Sequence, residues 1–201
     1  MKYNKDTSEK ILDSAIDIFQ ENGFNGTRMQ AIADKAKINK SLLHYYFKSK
    51  DKLFQIIIEK AVKLFIPRVL KVINVEGDIF QMIRDFVSAY IDMLRKNPHI
   101  PSFIINEINN NPERLLKLLK TSGFNVDFVK VKIQEDIDKG IIRDISPEHL
   151  LLNTLSLCIF PFVAKPMVVG IILNGEEDKF EKLLDERKKV VANFIIDSIK
   201  I

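Results

Sequence analysis

The sequence has few of the residues that make turns and disulfides. It contains only 7 glycines and 7 prolines among 201 residues, about half of the usual share of roughly 12%. A sandwich or barrel of many short strands needs more turn residues than this, so long helices with few connections are favoured. The single cysteine, Cys158, excludes an intramolecular disulfide, and its apolar neighbours indicate core packing.

Strong net charge and a long uninterrupted apolar segment are also lacking. The chain has 31 basic and 27 acidic residues, and 46% of its residues are hydrophobic, which is typical of a folded protein. No apolar signal segment follows Met1, so we expect a cytoplasmic protein. The run 150–173 has one charge, Lys165, over about the roughly 20 residues that a membrane span needs. Its internal Pro161 and Pro166 and the lack of flanking basic clusters favour a buried or interface helix and no membrane.

Three short helical patterns occupy the first 50 residues. Helix one is expected over 7–22, between a cap at Asp6 and a stop at Gly23. Thr27 is the expected N-cap of a second helix, and Asn39 that of a third. Two short helices joined by three or four residues and braced by a longer one form a helix-turn-helix, whose second helix enters the DNA major groove.

The remaining sequence predicts helices as well, so the fold class is all-α. A fourth helix is expected over about 50–66, ending or kinking at Pro67. No strand alternation and no long internal repeat competes with this interpretation. The later helices are predicted at about 78–96, 101–110, 112–121, 124–139, 147–163 and 177–199.

Basic charge is concentrated on the predicted helix-turn-helix. Residues 26–52 hold seven Lys or Arg against two acidic residues. With Tyr45 and Tyr46 interleaved, this set fits binding to DNA phosphates, because ammonium groups neutralise the backbone and phenol hydroxyls donate to phosphate oxygens. A basic face that is merely solvated is the alternative.

The segments 23–27 and 32–53 together resemble the N-terminal domain of the TetR family of bacterial transcriptional regulators. The resemblance covers about residues 7–60. It implies a homodimer with a helix-turn-helix domain at 1–50, the fourth helix as connector, and a helical effector-binding and dimerisation domain at 51–201. It also implies binding to a near-palindromic double-stranded DNA operator and release by a small apolar or amphipathic effector.

The resemblance assigns individual residues to DNA. Thr27 would bind phosphate at the start of helix two, and Tyr45, Tyr46, Lys48 and Lys50 would clamp the DNA backbone around helix three. The residues placed toward base edges or the groove wall are Arg28, Asn39, Lys40, Ser41, Leu42 and His44.

Two positions depart from the family pattern. Lys37 stands in the inter-helix turn where glycine is usual, and it would be strained if that turn needs a positive φ. His44 stands where tyrosine is commoner, and we interpret it as a phosphate or groove contact rather than a pH switch.

The resemblance further implies an effector pocket among the middle helices and a dimeric four-helix bundle from the last two helices. Core packing is the alternative for every aromatic candidate. The pocket candidates are Phe65, Phe86, Tyr90, Phe103, Phe128 and Phe160. The dimer candidates are Leu151, Leu155, Val191, Phe194 and Ile195.

No residue pattern indicates catalysis. A glycine-rich phosphate loop, a Cys/His ligand cluster and a nucleophile elbow are absent from the sequence, so we expect no metal, no cofactor and no catalytic residue. The sequence therefore favours a DNA-binding regulator, and a repressor in particular. The main alternative is an all-helical interaction or membrane-associated adaptor protein, which predicts no sequence-specific DNA complex. An enzyme of unknown type is a third hypothesis.

Overall fold

The computed structural model describes residues 5–73 and 78–201 and contains helices and turns but no strand in these ranges. Every helix predicted from the sequence is present, with ends that differ by a few residues except in α4. The helices are α1 (Lys5–Gly26), α2 (Met29–Ala36), α3 (Lys40–Phe47), α4 (Lys50–Ile73), α5 (Ile79–Lys96), α6 (Ile100–Asn110), α7 (Pro112–Thr121), α8 (Val126–Asp138), α9 (Pro147–Val163), α10 (Lys165–Met167), a π-helix (Val168–Ile172) and α11 (Asp178–Ile199).

Helices α1 to α3 form the predicted helix-turn-helix. Gly23 has a left-handed φ of 67° and interrupts α1 where the sequence predicts its stop. Lys37 in the turn between α2 and α3 has φ 55° and ψ 45°, so the strain expected from a side chain at this position is present. The predicted cap at Asn39 is confirmed, since its side chain accepts a hydrogen bond from the Leu42 backbone N–H at 2.7 Å.

The prediction that Thr27 caps α2 is wrong. Arg28 occupies the N-cap position and makes no side-chain cap hydrogen bond. The Thr27 hydroxyl instead lies against carbonyl oxygens of α1, at 2.7 Å from that of Gly23 and 3.2 Å from that of Ile18. The break at Gly23 brings these carbonyls to Thr27, so its hydroxyl fastens the end of α1 rather than the start of α2.

Helix α4 is longer than predicted and passes through Pro67 to end at Ile73. Proline removes one helical hydrogen bond, but Pro67 itself is exposed while Ile66 and Val69 beside it are buried. Packing of these neighbours compensates for the lost bond, which is why the helix continues.

The buried side chains form two clusters that meet at α4. Leu53, Phe54 and Ile57 lie in the first cluster with the cores of α1 to α3. Ala61 and Val69 lie in the second cluster with α5, α8, α9 and α11. Helix α4 therefore connects the two halves by burial in both, and the domain division at residue 50 stays a prediction.

The sequence analysis assigned no helix to 164–173, where the structure forms α10 and the π-helix. Helix α9 and this second segment are bent by 70° relative to each other. Within the described ranges, no single helix is long and apolar enough to cross a membrane; this bent pair passes the same test by length and composition alone.

A buried ion pair attaches α7 to α6 beside α4. The Glu107 side chain is 1% exposed and is bound by the guanidinium of Arg114. Arg114 Nε donates to one carboxylate oxygen, and Nη2 donates to the other at 2.7 Å. The hydrogen bond to Glu107 raises the pKa of Arg114 above its ordinary value, and Asp51 and Glu59 of α4 add smaller contributions. The buried carboxylate of Glu107 is therefore paired.

We expect Glu107→Ala to lower the free energy of unfolding by about 2 kcal/mol, because α7 would lose its two charged hydrogen bonds to α6 while Arg114, which is 30% exposed, keeps access to water. Glu113→Ala is the matched control, since this exposed carboxylate lies one residue from Arg114, and it should change stability by less than about 0.5 kcal/mol. Urea denaturation followed by circular dichroism measures both. Equal effects in the two variants would contradict a structural role for the pair.

Candidate nucleic-acid interface and internal cavity

Helix α3 turns one face inward and leaves the other to solvent. Leu43 and Phe47 are buried in the first core cluster and are spaced four residues apart, so they lie on the same side of the helix. Lys40, Ser41, His44 and Tyr45 are exposed, while Leu42 and Tyr46 are half-buried. The outward face therefore carries the predicted groove contacts.

The basic residues divide into those that contact other parts of the chain and those that face solvent without an ion pair. Lys35 pairs with Asp17 at 3.4 Å and Glu21 at 3.3 Å, and these contacts raise its pKa, with Glu21 contributing most. The side chains of Lys40 and Lys48 are exposed and form no ion pair with any described residue. The side chains of Arg28 and Lys37 are likewise exposed and form no ion pair with any described residue. Positive charge thus remains available on the surface around α3.

Lys50 faces the protein rather than solvent. Its ammonium donates to the carbonyl oxygens of Phe24 at 2.7 Å, Thr27 at 3.2 Å and Asn25 at 3.4 Å. It also lies 4.5 Å from the centre of the Phe24 ring, close enough for a cation–π interaction. These contacts join the start of α4 to the loop between α1 and α2, so Lys50 has a structural position that the sequence did not reveal.

Thr27 is likewise removed from the surface. The side chain is buried, and its one hydroxyl hydrogen is directed to carbonyl oxygens of α1. It therefore has no free hydrogen for a phosphate in this structure, which is a correction to the predicted phosphate contact.

The aromatic and imidazole groups of α3 have defined partners. The Tyr45 and Tyr46 rings meet edge to face with centroids 5.6 Å apart, and Tyr46 stacks on Phe47 at 6.2 Å. His44 Nδ1 lies 3.0 Å from the carbonyl oxygen of Lys48 at the end of the helix. Tyr45 is exposed at the surface, next to Lys48. Together these side chains can present donors and positive charge to a phosphate backbone.

A second site lies inside the larger half of the molecule. A cavity of about 350 Å³, partly open to solvent, is lined by side chains of α4 to α9, and almost all of its lining is apolar. Three predicted pocket residues, Phe65, Phe86 and Tyr90, line it. Phe124 lines it too and was not among the predicted pocket residues, although it lies four residues before Phe128 in the predicted helix over 124–139.

The other three predicted pocket residues do not line this cavity. Phe103 packs in the first core cluster, with its ring centre 5.2 Å from that of Phe54 and 6.1 Å from that of Phe19. Phe128 and Phe160 are exposed on the outside of α8 and α9. Helical spacing identifies an apolar face but does not say whether that face meets a cavity, a packed core or solvent.

The last two helices present an exposed apolar surface. Phe194 is 64% exposed, and Leu155 is exposed as well. Two other predicted dimer residues, Val191 and Ile195, are each 2% exposed and pack within their own chain, which is a correction. Leu151 is half-buried and lines the cavity. Val190, which the sequence analysis missed, is exposed one helical turn from Phe194.

The described residues contain no group of three or more His, Cys, Asp or Glu side chains placed to hold a metal ion. Cys158 is buried, and burial raises the pKa of its thiol to about 12, so it carries no thiolate at neutral pH.

Comparisons with known proteins agree with this architecture. The family described as "Bacterial regulatory proteins, tetR family" matches residues 11–56, which span most of α1, all of α2 and α3 and the start of α4. The chain is 30% identical over 158 residues to the HTH-type transcriptional repressor NicS of Pseudomonas putida, covering 77% of this chain and 74% of that protein. It is 25% identical over 142 residues to the HTH-type transcriptional regulator RutR of Escherichia coli K12, covering 70% and 66% of the two chains.

Solved structures share the fold over most of the chain. HlyIIR, a hemolysin II transcriptional regulator, has a TM-score of 0.69 at 23% identity and covers 99% of both chains. The TetR family regulator PfmR from Thermus thermophilus has a TM-score of 0.66 at 22% identity and covers 76% of this chain and 84% of its own. The chain has these helices and an outward basic face, and it is similar to NicS over most of both chains. It therefore belongs to the TetR family of bacterial regulatory proteins and is a DNA-binding transcriptional regulator.

Proposed function

We propose that this protein is a homodimeric repressor that acts in the cytoplasm, binds a near-palindromic operator and is released by a small effector. The observation that carries the proposal is the separation of three surfaces. A basic face lies on α3, an apolar cavity lies between α4 and α9, and an exposed apolar surface lies on α9 and α11. The similarity to NicS, which is named a repressor, supports repression as the outcome.

The outward face of α3 supports groove recognition. Lys40, Ser41 and His44 are exposed on the side of α3 away from Leu43 and Phe47. Side chains at the start of a recognition helix reach base edges, while those at its end contact the backbone. We therefore assign Lys40, Ser41 and Arg28 to base or groove contacts, and Lys48 and Tyr45 to phosphates.

Selection from randomised duplex DNA should enrich sites with two inverted half-sites, because a two-fold dimer presents two equivalent recognition helices. Lys40→Ala should change which bases are enriched, with a loss of about 1–3 kcal/mol at the preferred site. Enriched sites without symmetry would contradict the operator proposal. An unchanged preference in Lys40→Ala would remove Lys40 from base recognition.

Lys48 and Lys50 lie close in sequence but should respond differently to alanine. Lys48→Ala should weaken binding to all DNA sequences without lowering the melting temperature. It should also reduce the slope of the logarithm of the binding constant against the logarithm of the salt concentration by about one. Lys50→Ala should instead reduce stability by about 1–2 kcal/mol, because its ammonium bonds to carbonyl oxygens of the α1–α2 loop. Salt-dependent binding titrations and thermal denaturation separate the two effects. A normal melting temperature in Lys50→Ala would contradict its structural position.

The exposed surface of α11 supports a dimer. Leu183, Arg187, Val190 and Phe194 follow helical spacing along one side of α11, beside the side that packs inward. Val190 and Phe194 are among its most exposed apolar residues. Apolar area of this kind is stabilised by a second copy, and obligate interfaces usually bury above roughly 2,000 Å².

Phe194→Glu should convert the dimer to monomer or aggregate, because it places a charge in the proposed interface. Asn193→Glu introduces the same charge at an exposed neighbour on the polar side of α11, and it should leave the dimer intact. Light scattering at micromolar concentration measures both. A monodisperse wild-type monomer would contradict the homodimer, and dimers in both variants would exclude this face.

Helix α4 supports the proposed release by an effector. Ala61, Phe65 and Val69 of α4 line the cavity, whereas Leu53 and Phe54 of the same helix pack against the DNA-binding unit. A ligand in the cavity therefore contacts the helix that orients α3. Movement of α4 would change the separation of two recognition helices that must match half-sites spaced by roughly 34–36 Å.

A further inference from the structure

The cavity contains one polar side-chain group that the fold leaves without a partner. Tyr90 is 8% exposed and lines the cavity. Its ring lies 5.0 Å from that of Phe65 and 5.5 Å from that of Phe86, so its position is fixed by packing. Its hydroxyl makes no hydrogen bond to any residue in the described part of the chain.

The Tyr90 hydroxyl oxygen is not sealed by the surrounding side chains, so it can form a hydrogen bond with an occupant of the cavity. Burial raises the pKa of Tyr90 well above its ordinary value, with a smaller contribution from Cys158. The group therefore stays a neutral hydroxyl at physiological pH, able to donate one hydrogen bond and to accept another.

The other residues that line the cavity limit the kinds of ligand that it can bind. Among the residues that the structure describes, those around the cavity include no Asp, Glu, Lys, Arg or His. An ionised ligand group would lie unpaired in an apolar site, which is strongly unfavourable. The other polar side chain, Thr154, already donates its hydroxyl hydrogen to the Leu150 carbonyl oxygen at 2.7 Å and can only accept a bond from a ligand.

We propose, building on the effector site of the proposed function, that the effector is an uncharged, mainly apolar molecule with one oxygen that hydrogen-bonds to the Tyr90 hydroxyl. Tyr90 is then the specificity-determining residue of the cavity. The volume of about 350 Å³ lies at the lower end of the range for small-molecule sites, roughly 300–1,000 Å³. Carboxylates and amines that are charged at neutral pH are excluded as effectors.

Three probes of similar size test the chemistry by isothermal titration calorimetry. 4-Propylphenol carries the oxygen, butylbenzene has the same number of non-hydrogen atoms without it, and 4-propylbenzoate carries a charge. We expect 4-propylphenol to bind the wild-type protein at least about 10-fold more tightly than 4-propylbenzoate, because the charge cannot be compensated in the cavity.

Tyr90→Phe removes the hydroxyl while keeping the ring. It should lower the affinity for 4-propylphenol by about 3- to 10-fold, as expected for one neutral hydrogen bond. The affinity for butylbenzene should change by less than about 2-fold. Phe86→Trp should lower the affinity for both neutral probes, because the larger side chain fills cavity space. Phe128→Trp, on the outer surface of α8, is the control and should leave both affinities unchanged.

The inference is overturned if no probe binds, if 4-propylbenzoate binds as tightly as 4-propylphenol, or if Tyr90→Phe affects the two neutral probes equally. Operator affinity is then measured with and without saturating 4-propylphenol. An unchanged operator affinity despite Tyr90-dependent binding would reject release by an occupant of the cavity, while the chemistry of the site would stand. If 4-propylphenol lowers operator affinity equally in Tyr90→Phe and wild type, release by an occupant of the cavity would stand. The role of the Tyr90 hydroxyl would then be rejected.

Discussion

The burial of α4 in two separate cores is the constraint on which the rest of the structure depends. Leu53 and Phe54 of α4 lie in the cluster that contains the cores of α1 to α3, and Ala61 and Val69 lie in the cluster of the larger helical body. Phe103 of α6 also inserts into the first core, and the Glu107–Arg114 pair holds α7 to α6 beside α4. Packed helices therefore join the body to the DNA-binding unit, and the effector release that we propose would act through them.

Charge on the DNA-binding unit is divided between building the fold and facing outward. Lys35 ties α2 to α1, and Lys50 holds the α1–α2 loop to the start of α4. The exposed Lys35 pairs add little stability, whereas the contacts of Lys50 help to position the helices that carry Lys40 and Lys48. Removing Lys50 would disturb binding through geometry, whereas removing an outward-facing lysine would act on DNA contact itself, through phosphates or the groove.

Helix α11 carries apolar residues on two adjacent sides, and each side has its own role. One side packs into the second core through Leu184, Val191 and Ile195. The other leaves Val190 and Phe194 exposed, and this is where we propose that a second copy packs. A helix that is apolar over such a wide arc needs two partners, one in its own chain and one outside it.

The sequence alone determined the all-helical class, the order of the helices, the cap at Asn39, the stop at Gly23 and the strained turn at Lys37, because these follow from local spacing and backbone chemistry. The family resemblance supplied six aromatic pocket candidates, of which Phe65, Phe86 and Tyr90 line the cavity. Only the tertiary structure decided that Thr27 and Lys50 bond inward, that Phe103 belongs to the first core, and that Phe128 faces solvent. Those outcomes depend on which element packs against each side chain, and the partner is distant in sequence, so helical periodicity carries no information about it.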